Sequence, residues 1–292
     1  MKMNTQFFDF EDRRIFNSVN GSTKQRIIHH LYTFFFIFDY RSKKERKKFM
    51  HLSVNIDHIA TIRNARGGAQ PDPAEKARVC ESAGAEGIVC HLREDRRHIK
   101  DEDVRRLRAS ITTKLDLEMA ATEEIISIAC QVKPDLVTLV PERRQELTTE
   151  DGIDIASQQD FYSRVVERFH QHGILVSLFI DPLEEQIRAS AATGTDMIEL
   201  HTGEYADAIG EAELQRHLVQ IQNAAKLGAQ LGMGVNAGHG LDYSNIIPVI
   251  KIPEIQEVSI GYAIIVRALD VGLAEAVREM VSLVRSQTTS SL

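Results

Sequence analysis

The chain has 292 residues, 43% of them apolar, enough for one large core of α/β-barrel size or for two smaller domains. A net charge of −7 offers no basis for general nucleic-acid binding. The cysteines Cys80, Cys90 and Cys130 stand far apart with no CxxC pair, which argues against a disulfide framework or zinc finger and leads us to expect a reducing, cytoplasmic location.

Composition breaks near residue 50. Residues 1–49 hold eleven of the eighteen Phe and Tyr, no Ala and one Gly, and six positive charges in excess, leaving thirteen negative on the remainder. The apolar piece Tyr32 to Tyr40 is too short for a bilayer, which needs ~20 residues. It also lacks a signal-peptide cleavage site, and its basic run follows rather than precedes it. A membrane-surface anchor, an extra packed element and upstream sequence read from too early a start compete here. The segment shows neither helical nor strand periodicity, so the expectation is an extension, disordered or mis-started, outside a catalytic domain spanning 50–292.

From Met50, eight runs of strand length follow: 52–57, 86–92, 114–120, 136–142, 175–181, 197–203, 233–240 and 258–265. Helical patterns lie between them. One opens with Pro73 and ends near Gly84, and another opens with Thr122 as N-cap. Further patterns cover 161–173, 183–194, 212–232 and 273–287. Strands alternating with helices over ~240 residues predict a (β/α)8 TIM barrel. A doubly wound sheet would want a GxGxxG turn that NIDHIA does not offer. The long span 212–232 predicts an added helix before strand 7.

Strand parity sorts the side chains, because alternate residues face opposite sides. Val54, Ile56, Ile88, Cys90, Leu92, Leu115, Leu117, Ile198 and Leu200 fall on the helix side. Asn55, Asp57, Val89, His91, Arg93, Asp116, Glu118, Glu199 and His201 fall on the axis. Barrel interiors are normally filled by branched apolar residues, and burying ionisable ones costs several kcal/mol each unless they pair or bind. Four strands contributing such groups at their C-terminal ends predict an active site rather than a structural ion-pair network. His58, His91, His201 and His239 sit at or just after strand ends and His98 in the next loop, whereas His170, His172 and His217 read as surface residues.

Gly238, Gly240 and Gly261, in the loops after strands 7 and 8, suit a phosphate held by backbone N–H groups. Arg63, Arg66 and Arg93 suggest a second anion site. A metal-dependent hydrolase or aldolase stays open as the enzymatic alternative, although no HExxH and no His-x-His after strand 1 occurs. A non-catalytic phosphate-binding barrel is the third reading.

The motifs VNIDHIATIRNARGG, HLREDRRHI, LEMAATEE, LVPERRQELTTEDG, SLFID, IELHTGEYADA and VNAGHGLDY resemble, in order, the pyridoxine 5′-phosphate synthases, the PdxJ family, from about Met50 to Ser286. The resemblance implies condensation of 3-amino-2-oxopropyl phosphate with 1-deoxy-D-xylulose 5-phosphate to pyridoxine 5′-phosphate, phosphate and water. It implies small phosphorylated substrates, no cofactor, no metal, no nucleic acid, no membrane, and a homo-octamer built of dimers. By residue, it implies His91 and Glu118 as general bases, His239 as general acid and Glu199 as a transition-state stabiliser. Asn55, Arg66, Gly240, Gly261 and Tyr262 would contact the amino-ketone phosphate. Asp57, His58, Arg93, His98 and Thr148 would contact the deoxyxylulose phosphate. Tyr262 departs from the family's commoner His. The polar loop 142–155 is expected to close over the substrates.

Overall fold

The computed structural model describes residues 50–142 and 151–286. The expectations for residues 1–49, for Thr148 and for most of the loop carrying it lie outside the described residues.

The Val-, Ile- and Leu-rich runs form eight short parallel strands: β1 His51–Asn55, β2 Gly87–His91, β3 Lys114–Met119, β4 Leu136–Leu139, β5 Leu175–Ile180, β6 Met197–His201, β7 Gly234–Gly238 and β8 Glu257–Ile260. They pair in chain order, and β8 returns to β1 through Ser53 opposite Ser259, so the sheet closes into a barrel. Closure leaves no free edge, and each parallel pair needs a crossover, which the helices supply.

The helices are α1 Asp57–Arg66, α2 Pro73–Ser82, α3 Asp101–Ser110, α4 Glu123–Val132, α5 Gln159–Gln171, α6 Glu184–Thr193, α7 Gly203–Ala206, α8 Glu211–Gln230, α9 Ile246–Ile250, α10 Tyr262–Val271 and α11 Leu273–Ser286. Pro73 starts α2 as expected, with Asp72 accepting the Ala74 N–H at 3.0 Å. Thr122 takes the N-cap position of α4 in extended backbone, but its hydroxyl makes no capping bond. The span 212–232 is one continuous 20-residue helix, α8, and the added element before β7 is the short α7.

Helices α1 and α9 lie in stretches that drew no helical reading, and two further elements escape the sequence pattern. Helix α3, DEDVRRLRAS, carries only Val104 and Leu107 as large apolar residues, too few to show a period. The run expected to continue strand 8 to Ile265 instead breaks at Gly261 and turns into α10. Short apolar runs fit a strand or a buried helix equally well, and here pairing stops at Gly238 with Ser259 on β7 and at Val54 with Ile260 on β1, so a longer β8 would have no partners.

The side chains assigned outward by parity are the core. Val54, Ile56, Ile88, Cys90, Leu92, Leu115, Leu117, Ile198 and Leu200 are all fully buried beneath the helices. Each such aliphatic side chain contributes ~1.5–3 kcal/mol relative to exposure. With the aliphatic layer spent on that interface, the barrel axis is left to polar groups. Among the described residues, no helix is long and apolar enough to cross a membrane.

Candidate active site

Parity and register together carry the ionisable residues to one level. His91 lies opposite Glu118 across β2 and β3, and Glu199 lies opposite Phe179 and Asn236 across β5, β6 and β7. Their side chains converge on a cavity of about 960 Å³ whose lining includes Asn55, Asp57, His58, His91, Arg93, His98, Glu118, Glu199, His239, Gly240, Gly261 and Tyr262. Of the expected site residues within the described chain, the structure brings all to this cavity except Arg66, which is exposed in the last turn of α1 and is not part of the lining.

The base side of the cavity is a tight hydrogen-bonded set. Asn55 donates from Nδ2 to Asp57 Oδ2 at 3.1 Å and to Glu118 Oε2 at 3.3 Å, while its Oδ1 accepts the Asp57 N–H at 2.9 Å. Asp57 Oδ1 accepts the His91 backbone N–H at 2.8 Å. Asp57, His91 and Glu118 therefore offer ligand atoms within 4.8 Å of one another, the one grouping among the described residues that has the composition of a cation site. Each of these side chains is already bound: Asp57 by Asn55 and the His91 N–H, Glu118 by Asn55, and His91 through Nε2, 2.9 Å from Glu142 Oε1.

Glu142, to which the sequence reading gave no role, sits directly against His91. Its side chain is almost fully buried, Oε1 meets His91 and Oε2 accepts the Glu94 N–H at 3.0 Å. Burial would raise its carboxyl, but the His91 hydrogen bond, that N–H and Arg93 outweigh it and hold the carboxyl low. The signal was present: Thr138, Val140 and Glu142 share the inward parity of strand 4.

The carboxyls inside the barrel are pushed the other way. Burial, then the charges of Glu199, Asp57 and Asp116, raises Glu118 well above the usual carboxylate range. Burial pushes Glu199 up to about 8, with Asp116 and Glu257 adding and Lys114 opposing. Asp116 sits deeper, pushed by burial up to about 6 and accepting the Thr138 hydroxyl at 2.9 Å. Lys114 reaches across from β3 to Glu257 on β8 at 2.5 Å and is the cation within this acidic interior.

His239 follows β7 in left-handed backbone, φ 80°, uncommon for a non-glycine residue. Thr202, fully buried at the end of β6, fixes it by donating its hydroxyl to the Gly238 and His239 carbonyls at 2.8 and 2.5 Å. Gly238 lets the Glu199 carboxyl lie close against the backbone: a Cβ there would lie 2.1 Å from Glu199 Oε1, which would have to move aside. Burial and then His201 push the His239 imidazole down to about 4, with Asp207 opposing. On the far side, Ile99 donates its N–H to His98 Nδ1 at 2.9 Å, which places the His98 proton on Nε2. Burial, reinforced by His91, Arg93 and His58, lowers His98 against the pull of Asp57.

Gly261 caps α10 at the cavity wall, so the first N–H groups of that helix open towards it, an arrangement suited to a phosphate. Tyr262 stacks edge-on against His58 with ring centres 5.3 Å apart and is otherwise largely exposed.

Arg63 requires a correction. It is buried and paired in a fork with Asp103, at 2.5 and 2.9 Å, while Nη2 also donates to the His98 carbonyl, so it ties α1 to α3 rather than serving an anion. Arg93 does face inward and is buried. Of the histidines read as surface residues, His217 is packed in, with Nδ1 3.2 Å from Glu204 on α7.

The match to the family model for "Pyridoxal phosphate biosynthesis protein PdxJ" spans residues 52–286. A pyridoxine 5′-phosphate synthase from Chlorobium chlorochromatii is 59% identical over 236 residues, covering 81% of this chain and all of that protein. Another from Geotalea daltonii is 56% identical over 234 residues, 80% of this chain and 98% of that one. Among solved structures, a phosphoribosyl anthranilate isomerase from Thermus thermophilus aligns with TM-score 0.54 at 14% identity, covering 82% of this chain and 100% of that one. A thiamine phosphate pyrophosphorylase from Pyrococcus furiosus aligns with the same TM-score and identity, over 84% and 99%. The two structures share the barrel and speak to the fold alone. The family match and the two sequence relatives decide the lineage: the chain belongs to the PdxJ family of pyridoxal phosphate biosynthesis proteins.

Proposed function

We propose that this chain joins 3-amino-2-oxopropyl phosphate to 1-deoxy-D-xylulose 5-phosphate, giving pyridoxine 5′-phosphate, inorganic phosphate and water. The observation that carries the reading is the set of raised carboxyls and lowered imidazoles around one cavity, in a chain 59% identical to a protein of that name. Condensing an amine with a ketone and closing a ring demands several proton transfers, and carboxyls raised by burial beside imidazoles that burial makes readier to give up a proton suit them.

Glu118 and His91 act as general bases. A carboxylate made more basic by burial suits removal of a proton from carbon beside an iminium, and Asn55 aligns it. Glu142 orients His91 by holding Nε2. His239 is the general acid towards leaving oxygens, and Glu199, reaching up beside Gly238, stabilises the transition state. Asn55, Gly240, Gly261 and Tyr262 hold the amino-ketone phosphate, together with Arg66, which would have to swing in or come from a second copy. Asp57, His58, Arg93, His98 and Thr148 hold the deoxyxylulose phosphate.

Mixing both substrates with the protein tests this. Absorbance of pyridoxine 5′-phosphate and stoichiometric phosphate release are expected, and binding without release would favour a silent phosphate-binding barrel. The Asp57, His91 and Glu118 grouping gives the metal-dependent hydrolase or aldolase its one support. Chelation should leave turnover unchanged, because those side chains already have partners; a loss restored by added divalent metal would install the metal reading.

The same reading carries three further proposals. Catalysis needs only the chain from about Met50, so a version starting there should retain full activity. The free thiols of Cys80, Cys90 and Cys130 fit a cytoplasmic setting. Assembly into an octamer built of dimers is supported by exposed Ile62 on α1 and Val266 and Leu269 on α10, and light scattering in solution would measure it.

A further inference from the structure

Two groups at the barrel mouth have no part in the roles above. His201 ends β6 on the inner face and is 6% exposed. Its Nδ1 lies 3.1 Å from Oδ1 of Asp181, just past β5. That hydrogen bond holds the Asp181 carboxyl low against burial, with the Gly152 N–H helping at 3.1 Å. An ionised carboxylate only accepts, so the His201 proton sits on Nδ1. Nε2 is then a bare acceptor, buried and without a hydrogen-bond partner among the described residues.

That nitrogen lies beside His239. The two rings are 4.9 Å apart, edge to face at 62°, and Phe179 packs on both at 5.2 and 6.4 Å. Gly203 shows how closely they converge. A Cβ there would stand 2.5 Å from His201 Nε2 and 3.2 Å from His239 Cδ2.

We propose that the Asp181–His201 pair is a positioning dyad for His239, fixing the orientation of its ring and opposing a second positive charge beside it. The proposal rests on His239 being the general acid. At this distance a positive charge on either imidazole opposes one on the other. The other charged groups around His239 are Asp207 beyond α7, which favours its cation, Glu199 beneath Gly238, and Glu118 and His91 across the cavity. Their balance leaves His239 uncharged in the empty site. A substrate phosphate at Gly240 and Gly261 brings negative charge, so His239 becomes an acid only when the site is filled.

His201→Asn in the full chain separates the tether from the charge. The amide keeps a donor towards Asp181 and removes the ring. Histidine-ring NMR should show the His239 titration moving up by about one unit. kcat should fall about tenfold with KM for both substrates within about threefold, at unchanged Tm. The limb of kcat that is lost as pH rises through His239 should move to higher pH. Asp181→Asn, which keeps the hydrogen bond and loses the charge, should shift the same titration in the same direction by less. An unmoved His239 titration in both variants overturns the proposal, as does a kcat loss that tracks falling Tm without such a shift. His239→Gln separates the two readings: full turnover there removes the general acid yet leaves the titration result standing.

Discussion

Glu199→Gln should make the protein more stable at alkaline pH while damaging the reaction. Glu199 is 3% exposed and its carboxyl is raised from 4.5 to about 8. Between those values the unfolded chain gives up the proton and the folded chain keeps it. The neutral carboxyl's contribution is therefore fully present below the ordinary carboxylate pKa and is lost as pH rises through about 8. At about 1.4 kcal/mol per unit the whole displacement corresponds to about 5 kcal/mol. Relaxation and the nearby Lys114 reduce that to about 3 kcal/mol, and a buried amide left short of a partner costs about 1 kcal/mol. The variant should gain about 2 kcal/mol at pH 8, or about 4–8 °C in Tm for a barrel of this size, and nothing at pH 5. Thermal melts of both proteins from pH 5 to 8.5 measure the difference, and phosphate release at pH 7.5 measures kcat, expected to fall at least about a hundredfold. A Tm difference that stays flat across the range would show that Glu199 ionises like an exposed carboxyl, and the reasoning would fail.

Glu118→Gln should lower kcat by about 10²–10⁴ with small changes in KM and no loss of Tm, since the amide has the same shape as a carboxyl whose charged form burial already disfavours. Activity within tenfold of wild type would remove Glu118 as base. Asp103→Ala should leave Arg63 buried and unpaired, costing about 3–5 kcal/mol and roughly 10 °C in Tm. Because Arg63 also holds the His98 carbonyl, KM for the deoxyxylulose phosphate should rise in the same variant.

Much of this was legible in the chain itself. Leu115 and Leu117 cannot face the helices without Asp116 and Glu118 facing the axis, because strand side chains alternate strictly. The same rule placed His91, Glu199 and His201 inside, and eight strand-length runs separated by helical patterns specified the barrel. Parity carried two steps past Thr138 of β4 and one step past Phe179 of β5 would also have reached Glu142 and Asp181.

Other features depended on contacts between distant segments. Arg63 and Arg66 stand three residues apart in one helix and read alike. The fold pairs Arg63 with Asp103, forty residues on, and leaves Arg66 exposed. The direction in which each titratable group shifts was likewise a tertiary matter. A carboxyl such as Glu199 rises because seven other strands exclude water from it, and an imidazole such as His239 falls because the fold buries it and brings His201 within 4.9 Å. Local periodicity is set by the chain's own geometry and can be read along it. Desolvation and Coulomb interactions depend on what surrounds a group in space, which is why the sequence determined which residues face the axis and only the closed barrel decided what chemistry they are tuned for.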